Sequence, residues 1–165
     1  MRRKHKLYER PKKLYDSVRI KEEDRLVEKY GLKNKREIWK SEAAVRYLRN
    51  RAKKLIIASK DEQDAFFKKL NSVGLNVSSI ADVLALTKEN LLKRRLATIL
   101  VVKKLARTPR EGRQFVVHKR VMIHGKTVSS PGYLVHIEEE SLISVRPGAP
   151  AKVKPIEENE TPEAQ

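Results

Sequence analysis

The chain has 165 residues, and its 38 lysines and arginines against 21 aspartates and glutamates give a formal net charge of +17. So large a charge on a small protein indicates a polyanionic partner, with nucleic acid first and an anionic membrane surface a weaker second. No apolar run approaches the roughly 20 residues that cross a bilayer. Cysteine is absent, which excludes disulfides and thiolate zinc sites. The four histidines lack the spacing of a metal site, so we expect no metal and no cofactor.

Residues 1–16 are basic and have neither a helical nor a strand period. We interpret them as an extended arm in which Tyr8 and Tyr15 lie among cations, a pattern typical of segments that become ordered on a polyanion. A disordered tail is the alternative interpretation.

A helical domain is expected over residues 17–91. It is predicted to contain four helices and a short helical segment, and its last helix continues past residue 91. The first covers 17–30 and stops at Gly31, and the second begins at Asn34 with Glu37 completing a capping box. A third runs from Ser59 to Gly74, with a short segment near 80–86 after it, and Thr87 opens a helix to about Leu105. The inner face of the second helix is predicted to comprise Ile38, Val45, Leu48, Ala52 and Leu55.

A smaller unit of helices and short strands is expected over residues 92–146. Thr108 caps a helix from 109 to about 118, with Pro109 at its first position. Strands are predicted near 120–124, 126–129 and 142–146, and residues 129–135 are predicted to form a turn that leads into a further strand. Residues 147–165 have several prolines and four glutamates, which predicts a disordered acidic tail.

The pattern favours binding over catalysis. The acidic clusters occur at expected helix starts or turns, and no glycine-rich phosphate loop or nucleophile motif is present, so we predict no catalytic residue and no enzyme. Glu111 is the only acid from residue 90 to residue 137. The cations of the helix at 109–118 therefore have almost no acidic partners nearby, and the free N–H groups at its N-terminus could also hold a phosphate.

Among these cations, Arg113 is predicted to grip a phosphate or a base edge with its planar fork, whereas Lys119 is predicted to supply only diffuse charge. The cations near the second helix start either hold a phosphate or are simply solvated, and Trp39 beside them is predicted to be buried.

The segment RRLATILVVKKLARTPREGRQFVVHKRVMIHGKTVSSPGYLV, residues 94–135, resembles the S-four RNA-binding domain. Matching features include Arg94-Arg95-Leu96, Thr108, Arg113-Gln114, Gly125-Lys126 and Pro131. The flanking stretches YGLKNKREIWK and DVLALTKENLLKRRL resemble the archaeal and eukaryotic form of the universal small-ribosomal-subunit protein four family, over about residues 8–146.

This resemblance implies an α+β fold: a mostly helical N-terminal domain with the S-four-type domain inserted in it or packed on it. It implies a non-enzymatic constituent of the cytoplasmic ribosome that binds small-subunit rRNA early in assembly. It also implies a place beside protein five near the channel by which mRNA enters, an influence on decoding accuracy, and no membrane contact or homo-oligomer. An RNA chaperone, or an accessory subunit that guides an RNA-modifying enzyme, is the alternative.

The residues expected to contact rRNA combine the family match with the basic pattern. They are Tyr8, Tyr15, Lys33, Asn34, Lys35, Arg36, Lys40, Arg46, Arg49, Lys53, Arg94, Arg95, Thr108, Arg110, Arg113, Gln114, His118, Lys119, Arg120 and Lys126.

Three positions depart from the family pattern. Lys104 replaces a glycine, which predicts an awkward backbone conformation there. Gly112 replaces an alanine, which predicts a loss of about 0.5–1 kcal/mol of helix stability. Lys119 adds a charge to a loop that usually reads His-Gly-His.

Overall fold

The structure is a computed structural model that describes residues 8–146. It is mostly helical and has one small antiparallel sheet, so the predicted α+β class is confirmed. The predicted arm falls partly, and the predicted acidic tail wholly, outside the described residues; residues 8–16 contain bends and turns without a helix or strand. The elements are α1 (Ser17–Tyr30), α2 (Arg36–Leu55), α3 (Lys60–Ser72), α4 (Ile80–Ala85), α5 (Lys88–Lys93), α6 (Leu96–Val102), α7 (Pro109–Val117), β1 (Val121–Ile123), β2 (Lys126–Thr127), α8 (Ile137–Glu140) and β3 (Ile143–Val145).

The boundaries of α1 are those predicted, and capping residues account for them. The Asp16 carboxylate accepts hydrogen bonds from the N–H groups of Val18 and Arg19, which satisfies two free donors at the helix start. At the other end Gly31 adopts the left-handed conformation, with φ 59°.

Gly31 also allows a close approach between two parts of the chain. A Cβ atom at this position would lie 2.7 Å from the Arg110 backbone nitrogen and 2.7 Å from the Pro109 carbonyl carbon. The turn after α1 therefore lies directly against the N-terminus of α7.

We expect Gly31→Ala to lower the free energy of unfolding by about 2–4 kcal/mol, because it combines left-handed strain with a backbone clash. Gly125→Ala is the matched control, since Gly125 has φ 74° but nothing within 4 Å of a Cβ. It should cost only about 1 kcal/mol. Equal losses in thermal or urea unfolding of the two variants would contradict the close approach at Gly31.

The start of α2 departs from its predicted capping box. Asn34 Oδ1 does accept a hydrogen bond from the Arg36 N–H at 2.9 Å. The Glu37 side chain, however, binds Arg95 and Arg113 instead of returning to the helix start. The box prediction is wrong because these guanidinium groups offer the carboxylate charged donors. The predicted inner face is confirmed, with Ile38, Val45 and Ala52 buried and Leu48 and Leu55 partly buried.

A helix from Thr87 to Leu105 was predicted, and this prediction is wrong because the chain breaks at Arg94 and Arg95. Arg95 is extended, with φ −71° and ψ 144°, and forms an isolated antiparallel bridge with Leu134. The Leu96 N–H donates to the Tyr133 carbonyl and the Val135 N–H to the Arg94 carbonyl, each at 3.0 Å. This pairing replaces helical hydrogen bonds, so two shorter helices result. At 129–135 the predicted turn is present at Pro131 and Gly132, and the strand predicted to follow it is reduced to the same single bridge.

The helix α7 and the sheet form the second half of the fold. Thr108 Oγ1 accepts from the Glu111 N–H at 3.2 Å, which confirms the predicted cap. The sheet order is β2-β1-β3, with both pairs antiparallel, where β2 is shorter than predicted. Lys104 has φ 58°, which confirms its predicted conformation. A Cβ at buried Gly112 would lie 2.7 Å from the Ala97 carbonyl oxygen, so this glycine lets α6 and α7 approach closely.

Buried side chains form three clusters along the chain. One joins α2 to α3, α4 and α5, and another joins α6 and α7 to the sheet. The third joins α1, the turn after it, α2 and α5, and contains Leu26, Tyr30, Leu32, Ile38 and Leu92. The adjacent residues Leu91 and Leu92 belong to different clusters, so α5 is packed from two sides. The predicted domain boundary at residues 91 and 92 stays a prediction.

Candidate RNA interface

The outer side of α7 and the segment after it is strongly polar and basic. Arg110, Gln114, His118 and Lys119 are exposed, while Val116 on the same helix is fully buried. Lys119 has φ 58°, a left-handed residue that turns the chain from α7 toward β1. These exposed side chains are therefore carried by a helix that is packed on its other face.

Two more predicted residues extend this surface onto the sheet. The Arg120 guanidinium lies 4.7 Å from the centre of the half-buried Phe115 ring, a cation–π contact that fixes its direction. Lys126 is exposed on β2. Thr108, also in the predicted set, is exposed and caps α7.

The turn between α1 and α2 brings a second group of predicted residues beside α7. Gly31 touches the start of α7, and Glu37 bonds Arg113 further along it. Between these two contacts, Lys33, Asn34 and Arg36 are exposed. We call the exposed Lys33, Arg36, Arg107 and Arg110 the basic junction, because their backbones flank this line of contact. None of these four cations has an ion-pair partner within 4.0 Å among residues 8–146.

Lys35, from the same turn, is bound within the protein. Its ammonium lies 2.7 Å from Asp24 Oδ1 and 3.9 Å from Glu23 Oε2. Glu23 is only 3% exposed and accepts hydrogen bonds from Arg19 at 2.8 Å and from Trp39 Nε1 at 3.0 Å. Trp39 is partly buried, so its predicted burial is realised in part.

Two predicted arginines, Arg113 and Arg95, point into the protein and meet at Glu37. Arg113 donates from both terminal nitrogens to the two oxygens of Glu37, each at 2.9 Å, in a bidentate pair. Arg95, which is 6% exposed, donates to the same carboxylate and to the Pro131 carbonyl at 2.8 Å. We call this group of three charged side chains the Glu37 clamp. The predicted bidentate contact between Arg113 and RNA stays a prediction. In the structure the Arg113 guanidinium group binds the Glu37 carboxylate.

The clamp sets the protonation behaviour of Glu37. Partial burial favours the neutral carboxyl, but the hydrogen bonds from Arg113 and Arg95 outweigh it, so the pKa of Glu37 is lowered from its ordinary 4.5. The carboxylate is therefore charged near neutral pH and joins α2 to the chain break and to α7.

Arg94 is enclosed in a similar way. It pairs with Glu140, donates to the Val135 carbonyl at 2.8 Å, and lies against Gly74. Its guanidinium therefore braces the loop after β2 and the turn after α3.

The predicted residues along α2 divide into bound and exposed ones. Arg46 pairs with Glu9 at 2.7 Å, and Arg49 donates to the Leu86 carbonyl at 2.7 Å. Lys40 and Lys53 are exposed.

The two predicted tyrosines lie before α1. Tyr8 is half-buried with its ring centre 6.2 Å from that of Trp39, and Tyr15 is 93% exposed.

Within residues 8–146, no three His, Cys, Asp or Glu side chains come together as metal ligands would. In the same part of the chain, the helices are too short or too polar for a membrane span.

Sequence reasoning missed the roles of Glu37 and Glu23. The one sequence signal for Glu37 was its isolation, since it is the only acid from residue 31 to residue 41, a stretch that also contains Lys33, Lys35, Arg36 and Lys40. A glutamate among so many cations has several candidate ion-pair partners nearby. The sequence does not indicate that its partners are the distant Arg95 and Arg113.

Comparison with known proteins agrees with this architecture. The S4 domain model matches residues 94–141, which contain the chain break, α6, α7 and the β1–β2 hairpin. The chain is 42% identical over 156 residues to small ribosomal subunit protein uS4 of Methanococcus aeolicus, covering 90% of this chain and 88% of that protein. It is 42% identical to the uS4 protein of Hyperthermus butylicus, with the same coverage, and 41% identical to that of Methanothermobacter thermautotrophicus, covering 92% of each chain. The chain therefore belongs to the uS4 family of small ribosomal subunit proteins.

Proposed function

We propose that this protein is a non-enzymatic structural constituent of the small ribosomal subunit that binds rRNA. The observation that carries the proposal is the basic junction, where exposed cations from the α1–α2 turn and from α7 meet without acidic partners in the described chain. Phosphate backbones are bound by such surfaces, because each contact releases counterions from the nucleic acid.

The Glu37 clamp supports the proposal by holding the two sides of the junction together. It joins α2 to α7 through Arg113 and to the chain break through Arg95. Arg36 at the start of α2 and Arg110 on α7 are therefore held at a fixed distance from each other. A rigid array of cations orients an RNA backbone better than mobile ones, because less side-chain and loop entropy is lost on binding.

The family resemblance extends the proposal to a role in the ribosome of the cytoplasm. It implies binding early in assembly, a position beside protein five near the channel by which mRNA enters, and an influence on decoding accuracy. The exposed residues Gln114, His118, Lys119 and Lys126, with the partly exposed Arg120, would extend the rRNA contact beyond the junction.

Cosedimentation tests this proposal directly. We expect the tagged protein to sediment with small subunits from cell lysate, and Lys33→Gln combined with Arg110→Gln to move much of it to the free fraction. The control is Lys60→Gln with Lys68→Gln, which removes two exposed cations from α3 and should leave sedimentation unchanged.

Other distributions would contradict the proposal. Wild-type protein that stays free would favour an RNA chaperone, and comigration with an RNA-modifying enzyme would favour an accessory subunit. Equal behaviour of the two double variants would remove the basic junction from the binding surface.

A further inference from the structure

An open groove of about 860 Å³ lies along α2 and is lined mainly by apolar side chains. Tyr8, Trp39 and Tyr47 supply aromatic surface, and Phe66 and Leu70 from α3 form part of the lining. Tyr47 is 63% exposed, so its ring is accessible to a ligand. The groove lies outside the α7 surface described above.

The α2 residues of the groove recur at helical spacing. Lys40, Ala44, Tyr47 and Arg51 follow one another at steps of four, three and four, which places them along one face. The face runs roughly 16 Å from the first to the last of them. A cation thus stands at each end, with a small residue and a ring between.

The rim of the groove is basic overall. Its lining includes the cations Lys40, Arg46, Arg51 and Lys69, against the acids Glu9 and Glu42. Glu9 is already paired with Arg46 at 2.7 Å. The Arg51 guanidinium lies 5.3 Å from the centre of the Phe66 ring, so it is held at the groove wall.

Trp39 is held in a fixed orientation at one wall. Its Nε1 donates to Glu23 at 3.0 Å, and its ring centre is 6.2 Å from that of Tyr8, tilted by 34°. Because Glu23 is buried and also binds Arg19, the indole cannot turn freely. A pre-oriented aromatic surface loses little entropy when a flat group stacks on it.

We propose that this groove binds one or more unstacked bases of single-stranded RNA. Flat apolar walls with aromatic rings match the faces of nucleobases, and the basic rim matches the phosphates on either side of them. The open side of the groove leaves the polar base edges in water, so the site favours stacking without reading sequence. The inference rests on the proposed function, because RNA is the ligand in both.

Trp39 is the only tryptophan in the chain, so its emission reports on the groove. We expect a short oligouridylate to quench Trp39 emission and to bind about tenfold more tightly than an abasic ribose-phosphate oligomer of the same length. Tyr47→Leu should abolish this preference for bases, and Tyr47→Phe, which keeps a ring, should retain it. Circular dichroism is the control that checks whether both variants fold.

Several results would overturn the inference. Equal affinity of the wild type for the two oligomers would contradict base stacking in the groove. It would not contradict rRNA binding by the basic junction. A base preference that survives in Tyr47→Leu would place the stacking elsewhere. Trp39 emission that depends on protein concentration without RNA would identify a second copy as the occupant. A changed emission on deleting residues 1–7, without a response to oligouridylate, would identify that segment instead. If the wild type bound neither oligomer nor rRNA, the proposed function itself would fail.

Discussion

Glu37→Gln is expected to lower the free energy of unfolding by about 3 kcal/mol or more, because it leaves two poorly exposed guanidinium groups without a counter-charge. The side chains of Arg95 and Arg113 are 8% and 19% exposed, so water replaces little of the lost interaction. For a chain of this length the melting temperature should fall by roughly 6–12 °C. Thermal unfolding followed by circular dichroism measures it.

The matched control for this variant is Glu42→Gln. Glu42 lies on the same helix, is exposed, and has no ion pair within residues 8–146. Its replacement should change the melting temperature little. A similar small change in Glu37→Gln would show that the clamp adds nothing to stability in solution.

Arg113→Lys tests whether the Glu37 clamp depends on the bidentate geometry of the guanidinium group or only on its positive charge. Lysine keeps the positive charge but cannot form the bidentate contact with Glu37, so we expect a lower melting temperature, with a smaller loss than in Glu37→Gln. Lys119→Arg, on the exposed turn after α7, should alter neither stability nor rRNA affinity. Reduced rRNA affinity in Arg113→Lys at unchanged stability would instead support the RNA contact predicted for this fork.

The clamp also makes stability depend on pH. Since the pKa of Glu37 is lowered in the folded protein, the unfolded chain takes up a proton first as the pH falls. The contribution of Glu37 is therefore complete above its ordinary pKa of 4.5 and is lost as the pH falls through the folded value. In urea unfolding, Glu37→Gln should remove this part of the pH dependence. An unchanged pH profile in the variant would contradict the assignment.

Binding to rRNA should weaken roughly a thousandfold between about 50 and about 200 mM salt, because six or more phosphate contacts release that many counterions. The four cations of the basic junction, together with Lys119, Arg120 and Lys126, are enough for this number. Filter binding or anisotropy at a series of salt concentrations gives the slope. A nearly flat titration would show that charge is not what holds the RNA.

The Lys33→Gln and Arg110→Gln double variant provides a second measurement on the same plot. It should reduce the salt slope by about two, since each lost phosphate contact removes close to one unit. Lys60→Gln with Lys68→Gln should leave the slope unchanged, because these residues lie on α3, away from the junction.

Local sequence signals predicted the elements whose ends are local. Gly31 ends α1 and Thr108 caps α7, because capping uses groups within a few residues. The break at Arg94 and Arg95 could not be predicted in this way. Both residues favour helices, and the break depends on hydrogen bonds to Tyr133 and Val135, far along the chain. Tertiary pairing overrode local preference there.

The residues of the candidate site also fall into those that a local sequence pattern predicts and those whose orientation depends on distant contacts. That exposed cations line α7 followed from its amphipathic pattern, since few apolar residues were available for its inner face. Which arginines turn inward did not follow, because Arg95 and Arg110 look alike in the sequence. The difference between them is set by Glu37, which lies 58 residues before Arg95.

The long sequence separation of the Glu37 clamp has a consequence for the order of folding. Contacts between α6 and α7 are local, so they close early at small entropic cost, whereas Glu37 and Arg113 are 76 residues apart. We infer that the clamp forms after the folding barrier has been crossed. Its strength then determines how slowly the native protein opens, and the rate at which a new chain folds depends on it little.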